Sequence, residues 1–372
     1  MSPDVIVIGA GAIGTSISYQ LAKAGAKVML FDRGLIGREA TGASAGMIMP
    51  HHGPGTPAAL AALSDESARL FPALAAELLD RTGMDIDYRR SGTLQLAFTE
   101  AEERDLRTTR SWHLDHGVNV PWIDPQSALD LEPALNPIIR GAIYYSDDHQ
   151  LLPLAMAQAL ARAAADLGTI IREGAAVDRL HLEHERVLGV GIGSDVVAAN
   201  EVVIAGGAWS SAWSRTLAIP IPVRPMRGQI AALRSEGTAL RQVLGHADGY
   251  ALSRPDGTTI VGTTVEEVGF DARPTAAAVG RLLSRAASLS PRLADATFVR
   301  AWAGLRPGTP DGMPIIGRPG GWRGITLATG HFRQGILLAP ITGELVADLV
   351  LHRHPRLPLD AFDPGRFLVR AG

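Results

Sequence analysis

The fold is decided by the stretch Val5-Ile6-Val7-Ile8-Gly9-Ala10-Gly11-Ala12-Ile13-Gly14, in which a short apolar run leads directly into three spaced glycines. A helical pattern follows from Thr15 to Ala24, and a second apolar run, Lys27-Val28-Met29-Leu30-Phe31, ends at the acidic residue Asp32. Strand, glycine-rich turn, helix, strand and acid in this order form a βαβ dinucleotide fingerprint. The sequence therefore predicts a nucleotide site within residues 5–32.

Each glycine of this motif has its own physical task. Gly9 permits the tight turn, Gly11 lets the backbone approach a pyrophosphate, and Gly14 lets the helix pack closely on the strand. The helix N-terminus offers unpaired N–H groups and a positive partial charge to phosphate oxygens. Asp32 can accept hydrogen bonds from both ribose hydroxyls, and its charge disfavours NADP because it repels a 2′-phosphate. The motif alone leaves NAD and FAD as alternatives.

The composition is that of an ordinary globular protein. The 372 residues are 46% hydrophobic and 20% charged, which is enough for a large core and two domains. A net charge of −3 with scattered basic residues gives no electrostatic footprint for nucleic acid. Because the chain has no cysteine, disulfides, cysteine-bound iron–sulfur clusters and a cysteinyl link to a cofactor are excluded.

The hydropathy pattern gives no indication of a membrane protein. No apolar run reaches the length of about 20 residues that a membrane-spanning helix needs. The acidic residue Asp4 stands where a signal peptide would carry a basic residue. We therefore expect a cytoplasmic protein without a membrane span.

The distribution of helical and strand patterns along the chain indicates two interleaved domains. Helical patterns and short apolar runs alternate at the start, middle and end, whereas alternating strand patterns dominate in between. The predicted fold class is α/β (α+β overall): a Rossmann-like nucleotide-binding domain interleaved with a substrate domain on an antiparallel or mixed sheet. The first domain is expected to comprise residues 1–83, 145–219 and 300–372, and the second residues 84–144 and 220–299. A substrate cleft should lie between them.

Several local elements follow from shorter patterns. Alternation predicts strands around Ile86-Asp87-Tyr88 and from Thr93 to Phe98, and Thr99-Glu100-Ala101-Glu102 predicts a capping box that opens a helix. Residues 121–148 contain four prolines and are predicted to be an irregular connection. A final helix is expected from Gly335 to Leu351.

Three later segments distinguish FAD from NAD. They are Ala40-Thr41-Gly42-Ala43-Ser44-Ala45-Gly46-Met47, the stretch from Trp302 to Gly312, and the turn Gly330-His331-Phe332-Arg333-Gln334-Gly335 with the helix that follows. Together with the first motif they resemble the FAD-dependent amine oxidases of the D-amino-acid oxidase superfamily. Within it the chain is most similar to the glycine-oxidising members, from residue 4 to about residue 350. The resemblance implies that the first domain binds FAD.

The resemblance also implies which residues contact FAD. The FAD site is expected to comprise Gly9, Gly11, Ala12, Ile13, Gly14, Asp32, Arg33, Ala40, Thr41, Ser44, Ala45, Gly46, Met47, Val177, Gly330, His331, Phe332, Arg333, Gln334, Gly335, Ile336 and Leu337. Small residues in this set let the backbone approach an extended cofactor. The positive end of the helix after the Gly330–Gly335 turn would stabilise negative charge on the flavin. Without cysteine, FAD is expected to bind non-covalently.

Three residues are expected at the substrate. The resemblance assigns Arg306 and Tyr250 to the substrate carboxylate and places Arg333 near substrate and flavin. A guanidinium fork suits a carboxylate because it forms two parallel hydrogen bonds. A structural ion pair for Arg306 and a core position for Tyr250 are the alternatives. No residue is expected to act as an acid or base, because desolvation can lower the pKa of the substrate amine.

The implied reaction transfers a hydride from the carbon that bears nitrogen, gives an imine that hydrolyses, and passes the electrons to O2 as hydrogen peroxide. The substrate would be glycine, an N-substituted glycine or a D-amino acid, since Met49-Pro50-His51-His52 and Asp248 depart from the family pattern at the expected pocket.

Other functions and assemblies stay open. A dehydrogenase that passes electrons to a quinone or carrier and a flavoprotein that binds FAD only structurally are the alternatives. The adjacent His51 and His52 lack further ligands at metal spacing, so no metal site is expected. A homo-oligomer is compatible with the sequence.

Overall fold

The computed structural model describes residues 2–234, 237 and 239–368 of the chain. The strands are β1 (Val5–Ile8), β2 (Val28–Phe31), β3 (Met47–Ile48), β4 (Thr93–Ala97), β5 (Trp122–Ile123), β6 (Gly141–Tyr145), β7 (His149–Gln150), β8 (Ile170–Arg172), β9 (Arg179–Glu183), β10 (Arg186–Ile192), β11 (Asp195–Ala198), β12 (Glu201–Ile204), β13 (Arg224–Arg234), β14 (Val243–His246), β15 (Gly249–Ser253), β16 (Thr258–Gly262), β17 (Thr297–Gly308), β18 (Ile315–Gly317) and β19 (Ile325–Thr329). The helices are α1 (Ala12–Lys23), α2 (Ala58–Thr82), α3 (Glu100–Asp115), α4 (Pro125–Leu131), α5 (Pro153–Asp166), α6 (Ser214–Leu217), α7 (Ala276–Leu289) and α8 (Ala339–Val350).

A mostly parallel sheet carries the glycine motif. Its strand order is β18-β19-β12-β1-β2-β8, and every neighbouring pair is parallel except β18 and β19. All four residues of β1 are buried, as a strand covered on both faces must be. The helices α1, α2, α5 and α8 contribute to the hydrophobic core that packs on this sheet.

An eight-stranded sheet forms the second structural unit. Its order is β17-β13-β16-β15-β14-β4-β6-β5, and it is antiparallel except where β14 runs parallel to β4. A mixed sheet beside a Rossmann-like sheet confirms the predicted fold class. Because the second sheet takes its strands from residues 93–145 and 224–308, we propose domain limits close to those expected from the sequence.

Some local predictions are confirmed and others are wrong. The capping box is present, because the Thr99 side chain accepts a hydrogen bond from the Glu102 N–H and the Glu102 carboxylate accepts one from Thr99. No strand forms at residues 86–88, where Asp87 adopts a left-handed φ of 51° that interrupts pairing.

Residues 121–148 are more regular than their prolines suggested. They contain β5, α4 and β6, because Pro125 occupies the first turn of α4, where it removes no helical hydrogen bond. Pro340 similarly lies in the first turn of α8. The final helix therefore begins at Ala339, and the preceding residues Phe332–Gln334 form a 3₁₀ turn.

Within the part of the chain that the structure describes, no helix is long and apolar enough to cross a membrane.

Candidate functional site

The predicted glycine motif forms the turn between β1 and α1. Gly9 has a φ of +105°, and a Cβ atom there would lie 2.4 Å from the carbonyl oxygen of Ala205. A Cβ atom on Gly14 would lie 1.8 Å from the carbonyl oxygen of Gly9. Only glycine fits either position. Gly11 is the N-cap of α1 and has no side chain to cap it; the Thr41 hydroxyl accepts a hydrogen bond of 3.0 Å from the Ala12 N–H, and the other N–H groups of the first turn can face a ligand.

Asp32 lies where β2 ends, beside this turn. Its carboxylate oxygens accept hydrogen bonds from the N–H groups of Ala10, at 2.6 Å, and Gly34, at 2.7 Å. These bonds fix the carboxylate, yet each oxygen keeps a second lone pair for a hydroxyl donor. The geometry suits a ribose held next to the helix N-terminus.

A continuous cavity of about 780 Å³ runs from this turn to the eight-stranded sheet. It is lined by nearly all the site residues predicted from the sequence: Gly9, Gly11, Ala12, Ile13, Asp32, Arg33, Ala40, Thr41, Ser44, Ala45, Gly46, Met47, Val177, Tyr250, Arg306, His331, Phe332, Arg333, Gln334, Gly335, Ile336 and Leu337. Gly14 and Gly330 lie outside the lining. Gly330 has a φ of +77°, and a Cβ atom there would lie 2.6 Å from the Thr309 side chain. Glycine is therefore required at this position by backbone conformation and packing.

Arg306 projects from β17 toward the cavity. Its Nη2 donates a hydrogen bond of 2.8 Å to the Thr263 hydroxyl, and its Nη1 donates one of 3.1 Å to the Thr264 carbonyl. Gly228 lies on the neighbouring strand β13, and a Cβ atom on it would lie 1.9 Å from Arg306 Nη1. No carboxylate of the described chain lies within 4.0 Å of this guanidinium. Burial lowers the pKa of Arg306. Because a guanidinium stays protonated in proteins even so, the site is cationic and ready for an anion.

Tyr250 lies on β15 in the same cavity. Its ring occupies space that exists because its cross-strand neighbour is Gly262, whose Cβ atom would lie 2.3 Å from the phenol oxygen. Burial raises the pKa of Tyr250 to about 12, although the charges of Arg306, Arg254 and Arg333 act in the opposite direction. The hydroxyl is thus neutral near pH 7 and can donate a hydrogen bond.

The turn at residues 331–337 completes this end of the cavity. Arg333 is exposed there, with its guanidinium carbon 5.4 Å from the centre of the Phe332 ring. His331 is buried and lies 3.1 Å from the Thr342 hydroxyl through Nε2. Burial lowers the pKa of His331 to about 3, so the imidazole is neutral. The hydrogen bond between His331 and Thr342 attaches the turn to α8. Arg333 contributes positive charge at the cavity.

The segment Gly206-Gly207-Ala208-Trp209 was not predicted from the sequence to belong to the site. This segment lines the cavity just after β12, the strand next to β1. Trp209 lies under the guanidinium of Arg33, which is 3.6 Å from the ring centre. A glycine pair directly after a parallel strand was the available signal, because carboxyl ends of such strands meet at one edge of the sheet.

His51 and His52 make separate contacts in the structure. The ring of His51 stacks on that of Tyr145 with 5.7 Å between centroids, and His52 Nε2 lies 2.8 Å from the Ser64 hydroxyl. Among the described residues no group of three or more His, Cys, Asp and Glu side chains could hold a metal ion. His52 lines the main cavity instead.

The cavity fits an extended dinucleotide cofactor. It offers a helix N-terminus and a fixed carboxylate at one end and a second glycine turn at the other. The fold and this site define an FAD-dependent amine oxidase. A model of the FAD dependent oxidoreductase family matches residues 4–349, and the chain belongs to that family.

Two well-matched relatives are oxidases of amino acids by name. The glycine oxidase of Geobacillus kaustophilus (strain HTA426) is 36% identical over 99% of this chain and 98% of its own. The crystal structure of glycine oxidase from Geobacillus kaustophilus has a TM-score of 0.94, with 35% identity over 99% of both chains. The crystal structure of iminodiacetate oxidase from Chelativorans sp. BNC1 has a TM-score of 0.90, with 28% identity over 97% of this chain and 98% of that one.

Proposed function

We propose that the chain oxidises glycine, an N-substituted glycine or a D-amino acid, and that O2 accepts the electrons and leaves as hydrogen peroxide. The observation that carries this proposal is the pairing of Arg306 and Tyr250 in one cavity. Both are presented by the eight-stranded sheet, and Arg306 has no carboxylate partner among the described residues. A guanidinium that has no carboxylate partner and keeps unused N–H groups, in the same cavity as a neutral phenol, is a good receptor for a carboxylate.

The comparisons support an amine next to that carboxylate. The two relatives are named for glycine and for iminodiacetate, which is an N-substituted glycine. In the proposed reaction the bond between hydrogen and the carbon that bears nitrogen breaks, and hydrogen leaves with its electron pair. The nitrogen lone pair forms the new C=N bond, which gives an iminium ion, the protonated form of the imine. Water then cleaves it to a carbonyl compound and ammonia or, from an N-substituted substrate, an amine.

The residues of this chain bind and orient the substrate. Arg306 and Tyr250 fix the carboxylate, and Arg333 adds positive charge at the turn of residues 331–337. The buried surroundings favour the neutral form of the substrate amine, so no side chain is needed as a base. Catalysis then rests on positioning and electrostatics.

We propose the remaining cavity residues as the cofactor site. The N-terminus of α1 and Asp32 would hold the ADP half, and the turn of residues 331–337 would lie at the ring system. Bound FAD supplies the acceptor for two electrons.

The experiment is anaerobic mixing of the FAD-loaded protein with glycine, sarcosine, larger N-alkyl glycines, iminodiacetate and D-amino acids. We expect at least one of them to bleach the flavin absorbance, and we expect air to restore it with release of hydrogen peroxide. The Arg306→Met variant tests the proposed carboxylate site. Bleaching of its flavin should require far higher concentrations of the same compound than in the wild type.

Other outcomes separate the alternatives. Bleaching that quinone reverses and air does not would identify a dehydrogenase. If no amine bleaches the flavin, the chain binds FAD for another purpose and the proposed function is wrong.

A further inference from the structure

The side chain that binds the proposed carboxylate is itself held by a segment whose first residue, Thr263, lines the cavity and whose other residues lie outside the lining. Residues 263–275, here called the anchoring segment, connect β16 to α7. Its first two residues accept both hydrogen bonds that Arg306 donates within the protein, through the Thr263 hydroxyl and the Thr264 carbonyl. The position of the Arg306 guanidinium therefore depends on where this segment lies.

Apolar burial does little to place the anchoring segment. Val265, Val268 and Phe270 are 39%, 41% and 52% exposed, so its large apolar side chains do not enter a core. Phe270 makes a single aromatic contact, with its ring centre 5.4 Å from that of Trp209. Apolar burial is the dominant favourable term in folding, and it is small here. The position of the anchoring segment therefore depends mainly on its polar contacts.

Those polar contacts converge on Glu266. Its Oε2 accepts hydrogen bonds from Arg227 Nε at 2.8 Å, Gln229 Nε2 at 2.7 Å and the Thr264 hydroxyl at 3.1 Å. Arg227 and Gln229 belong to β13 and are 5% and 0% exposed. The carboxylate thus joins the anchoring segment to a buried part of the sheet.

The same two β13 residues hold the rest of the segment. The Gln229 backbone N–H bonds to the Thr264 hydroxyl at 3.0 Å, and its side-chain oxygen accepts from the Thr275 N–H at 2.7 Å. Arg227 Nη1 donates to the Arg273 carbonyl at 3.0 Å, and its backbone pairs with that of Glu266. The contacts made by the side chains of Arg227 and Gln229 depend on the carboxylate, which keeps these two buried polar groups in place, whereas the backbone pair does not.

Burial tends to raise the pKa of Glu266, but the hydrogen bonds from Arg227, Gln229 and Thr264 outweigh burial and lower it. The carboxylate is therefore ionised near pH 7. The charges that face it are those of Arg227 on β13 and, through Arg227, Asp271 of the anchoring segment at 3.6 Å.

We propose that Glu266 is a positioning residue for carboxylate recognition, which acts through Thr264 and Thr263 on Arg306. This inference rests on the proposed function, in which Arg306 binds the substrate carboxylate. Glu266 does not line the cavity and touches no substrate atom. Its loss would let the anchoring segment shift, and the guanidinium would lose its fixed acceptors.

The test compares Glu266→Ala with Glu267→Ala, which removes the same charge from the next residue. Among the residues that the structure describes, Glu267 forms an ion pair with Arg224 alone, and both side chains are more than half exposed. The probe is acetate, the carboxylate part of glycine, titrated into the FAD-loaded protein by calorimetry. We expect the Kd of acetate and the KM of the amine substrate to rise about tenfold in Glu266→Ala. We expect kcat and the Kd of FAD to stay close to those of Glu267→Ala.

A second variant separates positioning from folding. Glu266→Gln keeps an oxygen that can accept hydrogen bonds, so its acetate affinity should fall between those of the wild type and Glu266→Ala. The proposal is overturned if both Glu266 variants bind acetate as Glu267→Ala does, even if they unfold at lower temperature. It is also overturned if the wild type binds no acetate, because Arg306 is then not a carboxylate site.

The two proposals can fail separately. If no amine reduces the wild-type flavin but acetate affinity still depends on Glu266, the proposed substrate is wrong and the positioning role stands. If amines are oxidised and acetate affinity is independent of Glu266, the positioning role alone is wrong.

Discussion

Arg306 donates a hydrogen bond of 2.8 Å to the hydroxyl of Thr263, a residue 43 positions earlier in the chain. Both residues line the same cavity. The bond uses one N–H of the guanidinium and leaves others for a ligand, since the group carries five. A side chain that is held in this way has lost rotamer freedom before substrate arrives, and such preorganisation favours binding.

Thr263→Val should weaken substrate binding while keeping the shape of the side chain. A hydrogen bond to a charged group contributes about 1.5–3 kcal/mol, and water can replace part of it, so we expect KM to rise about three- to tenfold. Steady-state kinetics with the best amine substrate would check this. An unchanged KM would show that the Thr264 carbonyl alone holds Arg306.

Gly228→Ala should have a larger effect than Thr263→Val. The new Cβ atom would lie 1.9 Å from Arg306 Nη1, so the guanidinium must move. A displacement of this size at a substrate-positioning group can cost about 100-fold in kcat/KM. The matched control is Gly280→Ala in α7, where a Cβ atom meets nothing within 4 Å. That control should keep full activity, and equal losses in the two variants would contradict the prediction.

Tyr250→Phe should raise KM without changing the pH dependence of kcat/KM. The variant removes only the hydroxyl, which is protonated throughout the assay range because burial raises the pKa of Tyr250 to about 12. We expect KM to rise about tenfold. Profiles recorded from about pH 6 to pH 10 should have the same shape for both proteins. A limb that disappears in the variant would mean that Tyr250 titrates in this range.

Asp32→Ala should weaken FAD binding. The carboxylate is fixed by the Ala10 and Gly34 N–H groups beside the helix N-terminus. Loss of hydrogen bonds between the ribose and a charged acceptor should raise the Kd of FAD about tenfold or more, measured by quenching of flavin fluorescence. Asp4→Ala is a suitable control, because Asp4 also accepts a backbone hydrogen bond, from Lys27, in the same βαβ unit. It does not line the cavity, so its variant should bind FAD normally.

Asp148→Asn should change how stability depends on pH. Burial raises the pKa of Asp148 from 3.8 to about 7, against the opposing effect of the Thr93 side chain and with a smaller contribution from the charge of Asp147. Between these two values the folded protein binds more protons than the unfolded chain, so the free energy of unfolding falls as pH rises. The effect is of order 2–4 kcal/mol and is fully developed above pH 7.

The asparagine variant has no such titration. Relative to the wild type it should gain stability between pH 5 and pH 8, as urea unfolding at the two pH values would show. Asp147→Asn removes the exposed neighbouring charge, which is the smallest of the three effects on the pKa of Asp148, so its curve should stay close to that of the wild type. Parallel curves for Asp148→Asn and the wild type would contradict the prediction.

The sequence was sufficient for the nucleotide end of the cavity. Gly9, Gly11 and Asp32 lie within one βαβ unit, so their spacing along the chain already determines their arrangement in space. The composition and the order of helical and strand patterns along the chain were sufficient to predict the fold class. Local patterns failed where single residues decided the backbone, as with the left-handed Asp87 and the prolines at the starts of α4 and α8.

The tertiary structure decided how the proposed substrate end is built. Arg306 and Tyr250 were predicted from a resemblance, but Gly228, Thr263 and Glu266 carry no local motif that points to a site. They meet because β13 pairs with β17 on one side and β16 on the other, which joins residues up to about 80 positions apart. Gly228 leaves room for the Arg306 guanidinium, and the buried polar network around Glu266 holds the segment that accepts its hydrogen bonds. Both features depend on residues that are distant in the sequence and become neighbours only when the chain folds.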